Sequence, residues 1–244
     1  MAAGAVNHLQ TPWSVAVVIP AQNEQTTIER CIRSVLVALA KAGVGHWVVV
    51  VADDCTDETV ERARSALGSA GEVVEVNVQS AGAARREGVS RALRHWKNLD
   101  QSRIWLANTD ADTCVNDDWI AVQLVFADQG VTAVAGIVHL EAGGSAVAHE
   151  VYKATYLVSR EGTHTHVHGA NLSVRADAYE DVGGWSNLAL AEDHCLWKRL
   201  RGRGWPVSST VSSVVTTSSR LRGRAKGGFA DTLGARVAAV YAEP

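Results

Sequence analysis

Short apolar segments alternate with amphipathic helical segments over the first half of the chain, and this alternation constrains the fold more than any other feature. Four segments have the length and the β-branched composition of buried strands, at residues 15–19, 47–51, 73–78 and 104–107. Between them, apolar residues recur every three or four positions in helical segments at residues 28–39, 57–67 and 82–96. Strands joined by helices pair in parallel through right-handed crossovers. The pattern therefore predicts an α/β fold.

The second half of the chain is less regular but continues the mixture of helices and strands. Helices are predicted at residues 119–126, 148–160, 192–203 and 229–241. Strands are predicted at residues 132–139, 171–175 and 211–215. No repeat or linker divides the 244 residues, and this length suits one large α/β domain. Residues 1–244 are therefore expected to form a single domain.

Composition and charge narrow the class of protein. A net charge of −3 argues against a nucleic-acid partner, which would favour a strongly basic face. The cysteines follow no metal-binding or redox spacing, which predicts reduced thiols at Cys31, Cys55, Cys114 and Cys195. The sequence does not start like a signal peptide, and no apolar run approaches the roughly 20 residues that span a bilayer. We therefore expect a cytoplasmic protein without a transmembrane segment.

Carboxylates follow three of the predicted parallel strands. Glu24 comes after the first strand, Asp53 and Asp54 come after the second, and Asp110 and Asp112 follow the fourth. Ligands of open parallel sheets bind beyond the carboxyl ends of the strands, so these side chains are expected at one binding edge. Residues two apart on a strand-end turn can point to the same side. Asp110 and Asp112 would then offer hard oxygen ligands to Mg²⁺ or Mn²⁺.

A simpler role is open to the acidic turn after the second strand. Thr56 and Asp57 precede a predicted helix, where Ser, Thr, Asp and Asn commonly cap the first turn. The binding-edge interpretation depends on the three carboxylate-bearing loops occurring together.

These motifs, taken in order, resemble family 2 glycosyltransferases of the GT-A fold. The matching segments are VIPAQNE (18–24), VADDCTD (51–57), GAARREG (82–88), DAD (110–112), GANLSVR (169–175), VGGW (182–185) and ED (192–193). They run in the family's order from about residue 14 to residue 205. The resemblance implies a Rossmann-like nucleotide-sugar-binding half at about 14–115, with a mostly parallel mixed sheet flanked by helices. It also implies an acceptor-binding and catalytic half at about 116–219, followed by a basic loop and helix at 220–244.

The resemblance also implies where the sugar donor binds. A nucleoside pocket would be lined by Pro20, Ala21 and Glu24, with Glu24 near the ribose. Asp53 or Asp54 would accept a hydrogen bond from the base, most simply from uracil N3–H, which favours UDP over GDP. Arg85 would lie near the base and phosphates. Ribose and a divalent cation, Mg²⁺ or Mn²⁺, would be held by Asp110 and Asp112.

Transfer to an acceptor hydroxyl needs a group that takes up its proton, and a positioned carboxylate can do so. The resemblance places Asp193 as this base, with Glu192 beside it; the alternative is a helix cap. A single base opposite the leaving group implies single displacement with inversion. Sugar and acceptor would be flanked by Gly169, Asn171, Gly184 and Trp185, although Trp185 has core packing as its alternative.

Two other functions remain open. A nucleotidyltransferase also uses a carboxylate pair and a metal, but its glycine-rich, basic loop after the first strand is absent from residues 20–24. The other alternative is a nucleotide-sugar-binding module that has lost catalysis. It would bind the donor without turning it over.

The chain departs from the family after the ED motif, where many metal-dependent relatives carry a further histidine ligand. Residues 211–220 contain serine and threonine but no histidine, so a cation would be held by Asp112, phosphates and water. The leaving diphosphate gathers charge that fixed cations can stabilise. A loop that closes over the donor would supply Arg220, Arg222 and Arg224, unless these residues form a solvated tail.

Three alternating histidines, His164, His166 and His168, would share one face of a strand. Such a face suits a metal site, acceptor contacts or simple surface exposure.

Overall fold

A single sheet of eight strands runs through the computed structural model, which describes residues 12–155, 158–188, 190–223 and 228–242. In chain order the strands are β1 (Ser14–Ala21), β2 (Gly45–Asp53), β3 (Gly71–Val76), β4 (Ile104–Asn108), β5 (Thr113–Val115), β6 (Ala133–Leu140), β7 (Leu172–Arg175) and β8 (Val207–Thr217). Their spatial order is β3-β2-β1-β4-β7-β6-β8-β5. The predicted α/β architecture with a mixed sheet is confirmed.

The direction of the strands changes across the sheet. The first four strands of the chain pair in parallel, so β1, β2 and β4 point their carboxyl ends to the same edge. β7 pairs antiparallel with β4 and with β6, whereas β6 and β8 are parallel. β5 completes the sheet antiparallel to β8. The regular half of the chain thus builds the parallel part of the sheet, and the less regular half extends it.

Eight α-helices accompany the strands in the described residues. They are α1 (Ile28–Ala42), α2 (Thr59–Leu67), α3 (Ala81–His95), α4 (Trp119–Asp128), α5 (Ala146–Thr155), α6 (Ala176–Asp181), α7 (Glu192–Gly202) and α8 (Phe229–Ala242). None of these helices combines the length and the hydrophobicity needed to cross a bilayer.

Two hydrophobic cores form because successive side chains of a strand point to opposite faces. In β1, Val15, Val17 and Ile19 pack on one face with α1, while Ala16 and Val18 pack on the other with α3. All five side chains are fully buried. The uniformly apolar strands predicted from the sequence therefore reflect a sheet that is covered on both faces.

Several boundaries in the second half differ from the sequence predictions. The helix predicted at 148–160 is wrong at its end: α5 ends at Thr155, and Val158 instead forms an isolated bridge with His164. A turn closed by the Ser159 hydroxyl and by Gly162, with φ of 75°, prevents helix there. The spacing of apolar residues in the segment does not reveal such a turn.

The other differences concern elements that depend on their neighbours in the fold. β8 covers Val207–Thr217, twice the predicted strand, because it pairs along the whole of β6. β5 and α6 were not predicted, since three and six residues are too few to show a period. Residues 163–168, whose alternation would have suited a strand, do not form one; in the described chain this segment shows an isolated bridge at His164.

A glycine in α3 allows the helix to pack closely on the parallel strands. A Cβ atom built on Gly88 would lie 2.4 Å from Cγ1 of the buried Val18. We expect Gly88→Ala to lower the free energy of unfolding by about 1–3 kcal/mol, because the stiff valine and the strand must shift. Urea denaturation measures the difference.

Gly202, the last residue of α7, is the matched control because nothing lies within 4 Å of its notional Cβ. Gly202→Ala should leave stability unchanged or slightly higher, since alanine favours helix. Equal losses for the two variants would contradict the packing argument.

Candidate active site

Four acidic side chains follow the parallel strands at the carboxyl edge of the sheet. Glu24 follows β1, Asp54 follows β2, and Asp110 and Asp112 follow β4. Glu24 and Asp112 are buried, with 4% and 8% of their surfaces exposed, whereas Asp54 is exposed. Burial of two carboxylates is unfavourable unless cations or hydrogen bonds compensate them.

Arg220 compensates the two buried carboxylates. Its Nη1 atom lies 2.6 Å from Oε1 of Glu24, and its Nη2 atom lies 3.1 Å from Oδ2 of Asp112. The second oxygen of each carboxylate accepts hydroxyl hydrogen bonds: Oε2 of Glu24 from Thr27, and Oδ1 of Asp112 from Thr217. The oxygens that face Arg220 thus converge on one cationic position.

The environment of Asp112 alters its ionisation. Burial raises its pKa from 3.8 to about 6, although the Arg220 guanidinium acts in the opposite direction. The neighbouring carboxylates of Asp110 and Glu24 add to the increase. Additional positive charge beside Asp112 would therefore favour its ionised form.

Arg85 forms a second, more deeply buried cationic centre. It extends from α3, and its guanidinium lies 2.6 Å from both Oδ1 of Asp110 and Oε1 of Glu192. It also lies over the ring of Trp185 and against the backbone of Gly169, where a Cβ atom would approach its Cζ to 2.6 Å. Both Nη atoms of Arg85 are thus already paired with carboxylates.

The ED motif lies at the first turn of α7. Glu192 is buried against Arg85, and burial raises its pKa while Arg85 opposes the increase. Asp193 is half-buried, and its Oδ2 accepts a hydrogen bond of 2.9 Å from the backbone N–H of Gly169. Ala191 precedes the helix with φ of 60°, a left-handed conformation that turns the chain into α7.

Asp53 and Asp54 have different roles in the fold. Both oxygens of the buried Asp53 are used, because they accept the backbone N–H groups of Val78, Gln79 and Ser80. This carboxylate holds the β3–α3 loop, so donation from a base would compete with three existing hydrogen bonds. Asp54 instead borders a polar cavity of about 200 Å³.

The segment after β1 lies beside the β2–α2 loop. Pro20 and Ala21 end β1, and the thiol of Cys55 donates to the carbonyl oxygen of Ala21. The backbone N–H of Glu24 donates to the Thr59 hydroxyl at 2.7 Å. The carboxylate of Asp57 accepts from the backbone N–H of Thr59 and so orders the start of α2, although the N-cap residue of this helix is Glu58.

The structure corrects two of the predicted acceptor contacts. Asn171 is 1% exposed, and its amide donates to the carbonyl oxygens of Ile137 and Ser213 while accepting from Trp119 and the Ser213 hydroxyl. Its hydrogen-bonding capacity is filled by the fold. Trp185 is fully buried, so its ring has no surface for a sugar, and the core-packing alternative is correct.

The two glycines predicted for the acceptor pocket have different roles in the structure. Gly169 contributes the N–H that binds Asp193, which places it at the site. Gly184 adopts φ of 67° beneath Tyr179, where a Cβ atom would lie 2.5 Å from the ring, so it serves the turn before α7. The turn is further fixed by Arg199, which donates to the carbonyl oxygens of Val182 and Gly184.

The histidine cluster lies beside Asp193 although it is not a strand. The rings of His166 and His168 are stacked with centroids 5.7 Å apart, and His164 is 6.3 Å from His166. Burial lowers the pKa of His168 to about 4, with Asp193 acting in the opposite direction. Phe229 of α8 contacts His168 edge-on at 5.9 Å.

The described residues include no group of three or more His, Cys, Asp or Glu side chains arranged to hold a metal ion. A ready-made histidine site at residues 164–168 is therefore not seen there. A cation at Asp112 would need most of its ligands from outside the protein, as Mg²⁺ does when it binds with nucleotide phosphates.

The predicted basic loop is only partly described. Arg220 belongs to the site, Arg222 is exposed, and Arg224 lies outside the described residues. The loop is anchored to α8, because the backbone N–H of Gly223 donates to Asp231 and Gly234 accommodates the carbonyl oxygen of Leu221. The solvated-tail alternative is thus wrong for Arg220.

Thr217 is a site residue that sequence reasoning missed. Its hydroxyl is hydrogen-bonded to Oδ1 of Asp112 and to Thr113, in the antiparallel pair of β8 and β5. The serine- and threonine-rich segment offers many equivalent hydroxyls. No signal in the sequence distinguishes Thr217, because strand pairing alone brings it to Asp112.

Comparison with known proteins identifies a family. A protein family described as "Glycosyltransferase like family 2" matches residues 12–234. No curated protein matches the sequence significantly.

Solved structures share the fold. S. aureus TarS (residues 1–349) superposes with a TM-score of 0.60 at 16% identity, covering 84% of this chain and 60% of that one. The mannosyltransferase PcManGT from Pyrobaculum calidifontis, solved in complex with GDP-Man and Mn²⁺, superposes with a TM-score of 0.64 at 20% identity. The superposition covers 88% of this chain and 59% of the PcManGT chain. The chain therefore spans about three fifths of each of these structures, and the likeness confirms the expected GT-A architecture.

The buried ion pairs of Arg85 lead to a stability prediction. Arg85→Met should lower the free energy of unfolding by about 3–5 kcal/mol, because it leaves Glu192 buried without a cation. Adding Glu192→Leu should recover much of the loss, since the uncompensated charge is removed. Urea denaturation of both variants measures this coupling.

Arg62→Met is the control, because it breaks an exposed pair with Glu58 and should change stability little. Strictly additive effects of Arg85→Met and Glu192→Leu would contradict the assigned ion pair.

The environment of His168 predicts a dependence of stability on pH. An unfolded histidine binds a proton near pH 6.5, whereas folded His168 stays neutral to about pH 4. The unfolded chain thus binds more protons between these values, and lowering the pH through this window favours unfolding. The Tm of His168→Gln should fall less than that of the wild type between pH 6.5 and 4.

The exposed His139 provides the control, since His139→Gln should keep the wild-type slope of Tm against pH. A slope for His168→Gln equal to that of the wild type would show that His168 ionises as freely in the folded protein as in the unfolded chain.

Proposed function

The chain belongs to glycosyltransferase family 2, and on this basis we propose that it transfers a sugar from a nucleotide diphosphate sugar to an acceptor hydroxyl. Transfer is proposed to occur by single displacement with inversion at the anomeric carbon. About residues 14–115 would bind the donor and 116–219 would bind the acceptor. Of residues 220–244, the basic loop that begins at Arg220 would close over the donor.

The observation that carries the proposal is the position of Arg85 between Asp110 and Glu192. One guanidinium contacts a carboxylate of the DAD motif and a carboxylate of the ED motif, each at 2.6 Å. The donor and base groups implied by the family resemblance are therefore neighbours in space although 82 positions separate Asp110 from Glu192. A donor bound at Asp110 would lie beside Asp193, the residue after Glu192.

The donor is proposed to bind along the carboxyl edge of the parallel strands. Pro20, Ala21 and Glu24 would line the nucleoside pocket, and the base would occupy the cavity beside Asp54. Asp54 is exposed and Asp53 is committed to backbone N–H groups, so Asp54 is the acceptor for the base. Asp54 would accept the N3–H of uracil, and we propose UDP as the nucleotide of the donor, with GDP as the alternative.

A divalent cation, Mg²⁺ or Mn²⁺, is proposed to bind at Asp112 with the donor. The residues fit such an ion: Asp112 and Glu24 direct hard oxygens to one position that already holds a cationic group, with Asp110 nearby. The PcManGT structure contains Mn²⁺ together with GDP-Man. When bound, the cation would stabilise charge on the leaving diphosphate. Arg220 and Arg222 would add to this stabilisation from the loop after β8.

Asp193 is proposed to accept the proton of the attacking hydroxyl. It is half-buried, and Gly169 fixes the orientation of its carboxylate through Oδ2. Glu192 has a different role, because its ion pair with Arg85 positions the start of α7. His168 and Phe229 lie on the same side and would border the acceptor.

The test is sugar transfer by Asp193→Asn. The variant should bind the donor normally and lose kcat by at least about a hundredfold, because asparagine cannot accept the proton. Asp177→Asn changes another first-turn aspartate, in α6 and paired with Arg175, and should keep wild-type turnover. Near-normal turnover of Asp193→Asn would reject the base assignment.

Donor identity is tested by thermal shift of the wild type with UDP, GDP and their sugar conjugates, each with Mn²⁺, with Mg²⁺ and without either ion. The largest stabilisation is expected for a UDP-sugar with a cation, by mass action on the folded state. Donor binding without turnover by the wild type would instead favour an inactive binding module. Release of pyrophosphate from a nucleoside triphosphate and a sugar phosphate would indicate a nucleotidyltransferase.

A further inference from the structure

Arg220 holds a position that two buried carboxylates define. The guanidinium lies 2.6 Å from Oε1 of Glu24 and 3.1 Å from Oδ2 of Asp112. The opposite oxygens of these carboxylates accept hydrogen bonds from Thr27 and Thr217. The two remaining oxygens, Oε1 of Glu24 and Oδ2 of Asp112, both face the Arg220 guanidinium and so converge on one cation.

The chain segments before and after Arg220 are both anchored, and together they fix its position beside Glu24 and Asp112. On one side it follows β8, whose last residue, Thr217, is itself bonded to Asp112. On the other side, Gly223 is anchored to α8 through Asp231, and Leu221 fits against Gly234. A residue held at two ends is part of the site and not a chance contact of a surface side chain.

A divalent cation bound to Oδ2 of Asp112 would meet the Arg220 guanidinium at the same atom. Two cations cannot share one carboxylate oxygen at contact distance without strong repulsion, because little water separates them at this buried position. The guanidinium and the ion are therefore mutually exclusive at Asp112.

We propose that Arg220 is an internal competitor of the divalent cation, so that the ion binds Asp112 only when the diphosphate of the donor supplies further ligands. The part of this inference that concerns the diphosphate rests on the proposed nucleotide-sugar donor. In the absence of nucleotide, Arg220 neutralises Asp112 and Glu24. Metal and nucleotide then bind cooperatively, since neither alone displaces the guanidinium.

The experiment measures Mn²⁺ binding by the electron paramagnetic resonance signal of free Mn²⁺, without nucleotide and with UDP or GDP. Without nucleotide, Arg220→Gln should bind Mn²⁺ at least about tenfold more tightly than the wild type, because the competing charge is removed. With nucleotide, the wild type should gain at least about tenfold in Mn²⁺ affinity, and Arg220→Gln should gain much less.

Two variants serve as controls. Arg30→Gln removes a positive charge that Asp112 senses through space but does not contact, and it should change Mn²⁺ affinity by less than about threefold. Asp112→Asn should abolish Mn²⁺ binding in the wild-type and in the Arg220→Gln backgrounds.

Arg220→Lys covers the case in which Arg220→Gln does not fold, because lysine keeps a charge but loses the two-pronged contact. Its Mn²⁺ affinity should lie between those of the wild type and Arg220→Gln, and Mn²⁺ should raise its Tm more than that of the wild type. Mn²⁺ affinities of Arg220→Lys and of folded Arg220→Gln that equal the wild-type value would overturn the proposal.

The outcomes separate this inference from the proposed function. If no nucleotide binds, the nucleotide-sugar proposal fails, while the comparison with Mn²⁺ alone still decides whether Arg220 competes. If nucleotide binds but Mn²⁺ binds neither the wild type nor any Arg220 variant, the competition is rejected and the proposed donor stands.

Discussion

The buried guanidinium of Arg85 is the interaction on which the geometry of the site depends. It joins Asp110, at the carboxyl end of the parallel strands, to Glu192, at the start of α7. The buried charges compensate one another, and removal of one leaves another without a counter-charge. The two halves of the chain are thus tied together by electrostatics at the place where donor and acceptor would meet.

Arg220 forms a similar ion pair with Asp112, the next carboxylate along the carboxyl edge of the sheet. Each aspartate of the DAD motif is paired with an arginine, Asp110 with Arg85 and Asp112 with Arg220. The two pairs differ in setting, since Arg85 is packed between a tryptophan ring and a glycine while Arg220 lies on a loop after β8. Arg85 is therefore suited to a fixed structural role, and Arg220 to exchange with another cation.

Prediction from the sequence succeeded where local pattern and fold agree. The apolar strands and the helices between them were expected because a two-sided parallel sheet leaves a clear signature, and the acidic residues were expected at its edge. Prediction of function was poorest for residues whose side chains form hydrogen bonds or pack inside the protein. Asn171 and Trp185 match family motifs, yet one ties three elements together and the other fills a core.

The sequence by itself determined the α/β class, the parallel half of the sheet and the family, because periodicity and motif order are properties of the chain. The tertiary structure alone decided which of two neighbouring aspartates is open, which arginine meets which carboxylate, and that Thr217 reaches Asp112. These contacts join residues far apart in the chain. Their partners depend on which strands and loops become neighbours in the fold, which local pattern does not encode.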